Sequence, residues 1–185
     1  SLDDPLRKEA AQTIANLRTL GVSRIALVSG DRKRAAQDVA DELGLNEVFA
    51  ECKPEDKLDI VRAEMTATTG TVIAVGDGIN DAPALAAATV GVAMGARGAT
   101  AASEAADVVI VEDSIEHLAD AIDVAQGARG RALQAAGVGM TLATAAMLLG
   151  AFGVFNATAS AVTQEFIDAA AILWALVPPK SRIRK

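Results

Sequence analysis

Cysteine, histidine and aromatic residues are scarce in this chain of 185 residues. It contains one cysteine, one histidine, one tryptophan and no tyrosine. A single cysteine excludes a disulfide within the chain, which fits a reducing compartment. The formal charge of -7 and the few aromatic rings available for base stacking argue against nucleic-acid binding.

The lone Cys52 and His117 carry little metal chemistry of their own. We interpret Cys52 as a packing residue at the end of a strand. No second histidine lies near His117, so we interpret it as a surface residue of an amphipathic helix over 114–123. The chain opens on Ser1 without a signal-peptide pattern, and we expect its first residues to continue from an upstream segment.

One short stretch constrains the chemistry more than any other. Residues 71–85 read TVIAVGDGINDAPAL, an apolar run followed by a turn that holds two carboxylates, Asp77 and Asp81. The run is typical of a strand buried on both faces, and Gly76 and Gly78 permit a sharp turn close to an anion. Carboxylate oxygens suit Mg²⁺ better than a soft metal, so the stretch predicts a magnesium and phosphate site. The alternative is an ordinary turn rich in glycine, asparagine and aspartate.

The first 130 residues alternate helical and strand patterns, which predicts an α/β fold with a parallel sheet and crossover helices. Right-handed crossovers bring the carboxyl ends of parallel strands to one edge, where such folds bind ligands. Ser29, Lys57 and Asp77 should therefore converge there. We expect helices over 5–20, 32–43, 55–66 and after Asn80, and strands over 24–28, 48–50, 72–75, 90–94 and 108–111.

The Ser29-Gly30-Asp31 segment would form one side of that edge. Phosphoryl transfer needs charge neutralisation more than covalent help. The Ser29 hydroxyl and the Gly30 backbone N–H could both approach a phosphate at a helix N-terminus, which favours anions. Taken alone, Ser-Gly-Asp before a helix is also a common N-cap, and that alternative stays open for Ser29 and Asp31.

The other side would combine a lysine with the turn after the central strand. We expect Lys57 to supply positive charge, Asp77 to hold Mg²⁺, Asn80 to hydrogen-bond phosphate and Asp81 to support the metal shell. Taken alone, Lys57 would be a solvated helix residue.

The last third of the chain changes character. Residues 132–155 carry no charge and are long enough to cross a hydrocarbon layer of about 30 Å as a helix. Residues 159–177 predict a second, weaker span, so that the two form an antiparallel hairpin. The alternative is a pair of buried helices in a larger soluble protein. Because positively charged residues next to a span favour the cytoplasmic side, we expect both ends of the pair and the α/β domain to be cytoplasmic. The flanking basic residues are Arg129, Arg131, Lys180, Arg182, Arg184 and Lys185.

Three polar residues interrupt the second span. Gln164, Glu165 and Asp168 lie along one side of a helix, and ionisable groups at membrane depth normally pair or line an ion path. We expect them to face inward and to bind a transported cation, with Asp168 the first candidate. Their oxygen ligands favour a divalent ion over monovalent copper. In the alternative interpretation, Glu165 lies at the interface and Asp168 is merely paired to another helix.

Together these motifs resemble those of P-type cation-transporting ATPases, which belong to the haloacid-dehalogenase-like phosphohydrolases. The resemblance covers nearly the whole chain and is closest to the heavy-metal (type IB) branch. Residues 76–85 resemble the hinge motif GDGxNDxPAL; the further matches are Asp4–Arg7 to DxxR, Ser29–Asp31 to TGD, Lys53–Lys57 to PxDK, and Gln164–Asp168 to QExID. The family's phosphorylated aspartate, in a DKTGT motif, does not occur in these residues. Leu173–Val177 stands where NALR is common, and Asn156–Thr158 stands where a proline-containing turn is usual.

The resemblance implies the C-terminal segment of an ATP-driven heavy-metal pump in the cell membrane. Residues 1–131 would be the distal half of the phosphorylation domain with a linker helix, 132–177 two transmembrane helices, and 178–185 a basic cytoplasmic tail. ATP would be bound mainly by parts outside this chain, and Mg²⁺ by Asp77 and Asp81. The implied partners are the membrane, a divalent heavy-metal cation and the remainder of the ATPase. We expect this chain alone to be inactive.

Two alternatives differ in class. One is a truncated, non-catalytic module anchored in the membrane, with a regulatory or vestigial role. The other is a soluble haloacid-dehalogenase-like phosphatase, which would need Asp3 or Asp4 as its nucleophile although no apolar strand precedes them.

Overall fold

A computed structural model describes residues 8–77, 79–95, 101–112, 114–154, 156–178 and 181–183. Several residues named above lie outside these ranges: Ser1, Asp3, the Asp4–Arg7 segment, Gly78, Phe155, Lys180, Arg184 and Lys185. The chain divides into two compact units, Ser1–Ala119 and Asp120–Lys185.

The first unit is an α/β structure in which every paired strand is parallel. Its helices are α1 (Lys8–Thr19), α2 (Lys33–Leu43), α3 (Pro54–Ala67), α4 (Ala82–Ala87) and α5 (Ala101–Ala105). Its strands are β1 (Ala26–Val28), β2 (Glu47–Phe49), β3 (Ile73–Gly76), β4 (Val90–Met94) and β5 (Val108–Ile110). Helices and strands therefore alternate as expected, and each predicted element is found within a few residues of its expected bounds.

The strands form two sheets among the described residues. One has the order β1-β2, with Leu27 opposite Val48, and the other has the order β3-β4-β5. In the second sheet Val75 lies opposite Val92, and Val92 lies opposite Val108. Because all pairs are parallel, the loops after β1, β2 and β3 leave from the carboxyl ends of their strands.

Local chemistry explains where α2 and α3 begin and end. Gly44 ends α2 in the left-handed region at φ 61°, and its N–H bonds back to the carbonyls of Ala40 and Asp41. Pro54 occupies the first turn of α3, where its missing N–H costs no bond. The Asp56 carboxylate accepts from the Lys53 backbone N–H at 2.8 Å and so closes the start of α3.

The core of the second sheet lies between β4 and α4. Leu85 is 1% exposed and Ala93 is fully buried. Gly91 is needed there, because a Cβ at this position would lie 2.6 Å from the Leu85 carbonyl oxygen. Asp107 fixes Gly91 on both sides: its carboxylate accepts from the Gly91 N–H at 2.9 Å, and its own N–H donates to the Gly91 carbonyl.

The strand β3 is less buried than its sequence predicted. Ile73 and Ala74 are half-buried, but Val75 is 41% exposed, so the strand is not covered on both faces. Among the described residues β3 is an edge strand of its sheet, as β5 is, and an edge strand has fewer neighbours to cover its side chains.

The described part of the second unit contains two helices, the first of which begins four residues earlier, within the first unit. The helix α6 (Glu116–Ala151) has 36 residues and joins the expected amphipathic segment and the first apolar stretch without a break. It is followed by a turn in which Gly153 has φ +77°, and then by α7 (Ala157–Ala175). The Asn156 side chain caps α7 by accepting from the Ala159 N–H at 2.8 Å.

Small residues of α6 face α7 in an antiparallel arrangement. A Cβ at Gly139 would lie 3.5 Å from the Cβ of Ala171, and one at Gly150 would lie 3.2 Å from the Ser160 hydroxyl. The large apolar side chains point outward instead, with Met140 71% and Phe166 78% exposed. Glycine and alanine at a helix contact allow close approach, which is common between membrane helices.

By length and composition, α6 could cross a membrane, and it is the only described helix that meets this measure. The shorter α7 does not meet it, because Gln164, Glu165 and Asp168 lower its hydropathy. The second predicted span therefore stays a prediction.

Candidate phosphate and magnesium site

The loop after β1 is closed by its own side chains. The Ser29 hydroxyl donates to the Asp31 carboxylate at 2.7 Å, and the Asp31 N–H donates to the Ser29 hydroxyl oxygen at 3.1 Å. Arg32, which precedes α2, is the N-cap residue and has no side-chain capping bond. Ser29 and Asp31 therefore do not cap α2, which removes the ordinary N-cap interpretation of this segment.

The loops after β1 and β2 are joined to each other. The N–H of Glu51 donates to the Asp31 carbonyl at 2.9 Å, and the N–H of Cys52 donates to the Ser29 carbonyl at 3.0 Å. Gly30 passes close to the second loop, since a Cβ there would lie 3.4 Å from the Cys52 carbonyl oxygen. This pairing fixes the Ser29–Asp31 loop beside the residues that lead into α3.

Lys57 connects α3 to the turn after β3. It lies in the first turns of α3, and its ammonium group is 2.7 Å from the Asp81 carboxylate. Both side chains are mostly buried, with exposed fractions of 21% for Lys57 and 14% for Asp81. Two residues that are 24 positions apart in sequence are thus brought together at the carboxyl end of β3.

Gly76 ends β3 because the chain turns back on itself there. A Cβ at Gly76 would lie 2.6 Å from the Cβ of Asp81 and 2.8 Å from a carboxylate oxygen of Asp81. Only glycine allows the Asp81 carboxylate to lie this close to the strand end. The same contact holds Asp81 in reach of Lys57.

Asp77 and Asn80 lie in the same turn but remain exposed. Neither side chain makes a hydrogen bond or an ion pair with another described residue. The Asp77 carboxylate directly follows β3, so a hard oxygen ligand is free at the strand end, whereas the Asp81 carboxylate is engaged by Lys57. Mg²⁺ usually takes one or two carboxylates and completes its shell with water and phosphate oxygens, so this donor set fits Mg²⁺.

The predicted residues therefore fall into two groups at the strand ends. Lys57 and Asp81 are in contact beside Asp77 and Asn80, and Ser29 with Asp31 forms the other group. The described contacts do not include a bond between the groups, so the structure joins Lys57 to the β3 turn and leaves the approach of Ser29 a prediction.

The candidate cation residues of α7 lie mainly on its exposed side. The Gln164 amide donates to both oxygens of Asp168, at 3.2 and 3.4 Å, whereas Glu165 is exposed without a described partner. Within the described residues, no group of three or more acidic, histidine or cysteine side chains is arranged to hold a metal ion. Glu165 and Asp168 would therefore need ligands from elsewhere to form a cation site.

Sequence reasoning did not identify the backbone of Glu51 as special. Its φ is 56°, in the left-handed region that favours glycine, and its N–H holds the Asp31 carbonyl. Glutamate carries no sequence signal for this conformation. Strained backbone of this kind is concentrated at functional sites, and here it aligns the loop that bonds to the Ser29–Asp31 segment.

Two ionisable groups near the strands, Arg24 and Cys52, have shifted pKa values and lie outside the candidate site. At the opposite, amino ends of β1 and β2, Arg24 pairs with Glu47 at 2.5 Å and Glu64 at 3.0 Å, and the Glu47 bond raises the pKa of Arg24. Burial raises the pKa of the Cys52 thiol, Asp56 adds to the rise, and Lys57 opposes it. A thiol with a raised pKa is a poor nucleophile, which agrees with a packing role for Cys52.

Comparisons with known proteins place this geometry in a family. Two models of haloacid dehalogenase-like hydrolases match residues 1–89 and 58–122. A manganese-exporting P-type ATPase of Mycobacterium tuberculosis is 44% identical over 162 residues, which are 88% of this chain and 22% of the relative. The chain belongs to the haloacid dehalogenase-like family, in its heavy-metal P-type ATPase branch.

Two further relatives of this family support that assignment. A cadmium, zinc and cobalt-transporting ATPase of Bacillus subtilis is 40% identical over 82% of this chain and 22% of the relative. A crystal structure of a zinc-transporting PIB-type ATPase in the E2.Pi state superimposes with a TM-score of 0.82 and 32% identity, over 92% of this chain and 27% of that chain. The chain thus spans about a fifth of the length of the manganese-exporting and the cadmium, zinc and cobalt-transporting relatives, 22% of each. The expected family and fold class are confirmed.

Proposed function

We propose that this chain is part of an ATP-driven pump for a divalent heavy-metal cation. The observation that carries the proposal is the contact between Lys57 and Asp81 at the end of β3, beside the free carboxylate of Asp77. A lysine, a magnesium-binding carboxylate and a close backbone turn are the parts that phosphoryl transfer requires. The names of the relatives support heavy-metal transport as its purpose.

In this proposal the α/β unit stabilises a phosphoryl group held at the strand ends. Lys57 neutralises its charge, Asn80 donates its amide N–H groups, and the Ser29 hydroxyl and Gly30 N–H approach from the loop after β1. Ser29 would exchange its present acceptor, Asp31, for a phosphate oxygen. Asp77 would hold Mg²⁺, which supplies charge neutralisation when bound, while Asp81 keeps Lys57 in place.

The phosphorylated aspartate and most of the ATP site would come from other parts of the pump. The two sheets support this division, because β1 and β3 each have an edge to which no described strand is paired. A further parallel strand at these edges would bring its carboxyl end to the loops that hold Ser29 and Asp77. We therefore expect residues 1–131 to act only with the remainder of the ATPase.

The hairpin would form the last part of the membrane domain. Residues 132–177 would cross the cell membrane twice, and the α/β domain and the tail, 178–185, would be cytoplasmic. The exposed apolar side chains of α6 and α7 support a lipid or helix environment around the hairpin. Asp168 and Glu165 would face helices outside this chain and bind the cation with them, and Gln164 would orient Asp168.

The test compares variants of the full-length protein in membranes. Asp77→Asn removes the magnesium ligand and is expected to lower metal-stimulated ATP hydrolysis by about a hundredfold or more. The matched control is Asp59→Asn, whose carboxylate is on the same unit, 77% exposed and 3.9 Å from Arg62. Full activity in Asp77→Asn would refute the assigned site. Loss of activity in both variants would show a general effect of charge removal.

A further inference from the structure

The two helices of the hairpin differ greatly in length, and the chain after α7 contacts the part of α6 that extends past α7. α6 has 36 residues and α7 has 19. Arg131 lies over the ring of Trp174, 5.2 Å from its centroid, near the C-terminal end of α7. The part of α6 between Asp120 and Arg131 therefore extends beyond α7, and the tail segment 181–183 contacts it at Asp123 and Gln126.

A buried carboxylate on α6 holds this tail segment. Asp123 is 6% exposed, and its carboxylate accepts from the Arg182 backbone N–H at 3.0 Å. A buried carboxylate requires hydrogen-bond donors, since an unpaired buried charge is costly. The donor here is 59 positions away in sequence. The tail thus supplies the hydrogen-bond donor that the buried Asp123 carboxylate of α6 requires.

One further contact joins the segment to α6, and two other features order the segment itself. Ile183 is 9% exposed, although it stands in a run of charged and polar residues. The Arg182 guanidinium donates to the Gln126 side chain at 3.4 Å, and the Ser181 hydroxyl donates to the Ile183 carbonyl at 3.2 Å. A backbone bond, a side-chain bond and a buried apolar residue therefore act together.

We propose that residues 181–183 form a clasp that binds α6 at Asp123 and restrains the C-terminal end of α7. Arg182 is seven positions after Ala175 in sequence, and an extended chain of that length reaches about 23–25 Å. The distance along α6 from Arg131 to Asp123 is about 12 Å at 1.5 Å per residue. The chain after Ala175 is therefore long enough to reach Asp123, and its limited length confines the end of α7 to the neighbourhood of this part of α6. Releasing the clasp frees the end of α7, whereas closing it holds the two helices in register. The clasp does not depend on the proposed pump activity.

Hydrogen exchange of the full-length protein in lipid nanodiscs, followed by mass spectrometry, tests the clasp. Asp123→Ala removes the acceptor of the Arg182 N–H, and exchange of the tail peptide is expected to accelerate about tenfold or more. Peptides covering 172–177 should accelerate as well, because the Leu176 and Val177 N–H groups bond within the last turn of α7. Glu116→Ala, at an exposed acidic residue of the same helix, is the matched control and should change neither peptide.

A second variant, Ile183→Ala, alters the tail side of the clasp and leaves the sequence of α6 unchanged. It is expected to accelerate exchange in the same two peptides, so that damage to α6 by Asp123→Ala cannot imitate the result. Unchanged exchange of the tail peptide in both variants would overturn the proposed docking. Faster exchange of the tail with an unchanged 172–177 peptide would overturn the restraint on α7.

Discussion

The two units of this chain have opposite surfaces. In the α/β unit, Leu85 and Ala93 are buried and the charged residues of α2 are exposed. In the hairpin, the small residue Ala135 is buried while Phe166 is 78% exposed. One physical principle accounts for both patterns: a folded unit buries the side chains that interact least favourably with the surrounding solvent. An apolar environment around the hairpin, as proposed above, would produce this inversion.

The strongest test of this contrast places a lysine at two similarly exposed positions. Leu142 on α6 is 50% exposed and Val111 after β5 is 62% exposed. Leu142→Lys is expected to cost about 3 kcal/mol of insertion free energy near the centre of a span. Val111→Lys should be tolerated. The fraction of full-length protein that resists alkaline carbonate extraction measures the difference.

Equal extraction of the two lysine variants would contradict the contrast. It would mean that the outward side chains of α6 contact water or a soluble partner. The interpretation as a helix pair within a soluble protein would then be preferred.

Glycines distinguish the packing of the units on a finer scale. Gly91→Ala places a Cβ 2.6 Å from the Leu85 carbonyl oxygen, and overpacking of this kind costs about 1–3 kcal/mol. Gly139→Ala places a Cβ at an ordinary 3.5 Å from Ala171 and should be neutral or slightly stabilising. Local stability measured by hydrogen exchange should fall around β4 in the first variant only. If Gly139→Ala lowered local stability as much as Gly91→Ala or more, the hairpin would be packed as tightly as the core of the α/β unit.

The Lys57–Asp81 pair tests whether polar contacts stabilise the α/β unit. A double-mutant cycle with Lys57→Met and Asp81→Asn should give a coupling free energy of about 1–2 kcal/mol, because the two charges are largely buried. The exposed pair of Arg62 and Asp59, at 3.9 Å, is the control and should couple by less than about 0.5 kcal/mol. The readout is the local stability of α3 in hydrogen exchange. Equal coupling in both cycles would show that the burial of Lys57 and Asp81 adds nothing.

The sequence predicted elements well where the determining signal is local. Residues 90–94 were expected as a strand, and β4 has these bounds, since its apolar run ends at Gly95, which has φ 64°. Contacts between distant segments were less accessible. The bond of Lys57 to Asp81 depends on how α3 lies against the β3 turn, and the exposure of Val75 depends on the edge position of β3. The left-handed Glu51 and the Asp123–Arg182 contact carry no sequence signal.

The smallest predicted effect concerns Cys52. Burial raises the pKa of its thiol, so the folded state favours the protonated form. At pH 8 iodoacetamide should alkylate Cys52 several-fold more slowly in the folded protein than in urea, and the rate should rise with pH through the raised pKa. Lys57→Met should slow alkylation further, because Lys57 lowers this pKa. The stability linked to this thiol is present below its unfolded pKa and is lost as pH rises. Faster alkylation in the folded state would contradict a packing role.

Phosphorylation of the natural protein from radiolabelled ATP tests the proposed pump most directly. The label is expected on a polypeptide that contains these residues and has several times the 18.9 kDa mass of this chain. It should be acid-stable, sensitive to hydroxylamine and lost in Asp77→Asn, while the 185-residue chain alone should take up none. Label on the isolated chain, or a natural polypeptide of about 18.9 kDa without label, would contradict the proposed role in a larger ATPase.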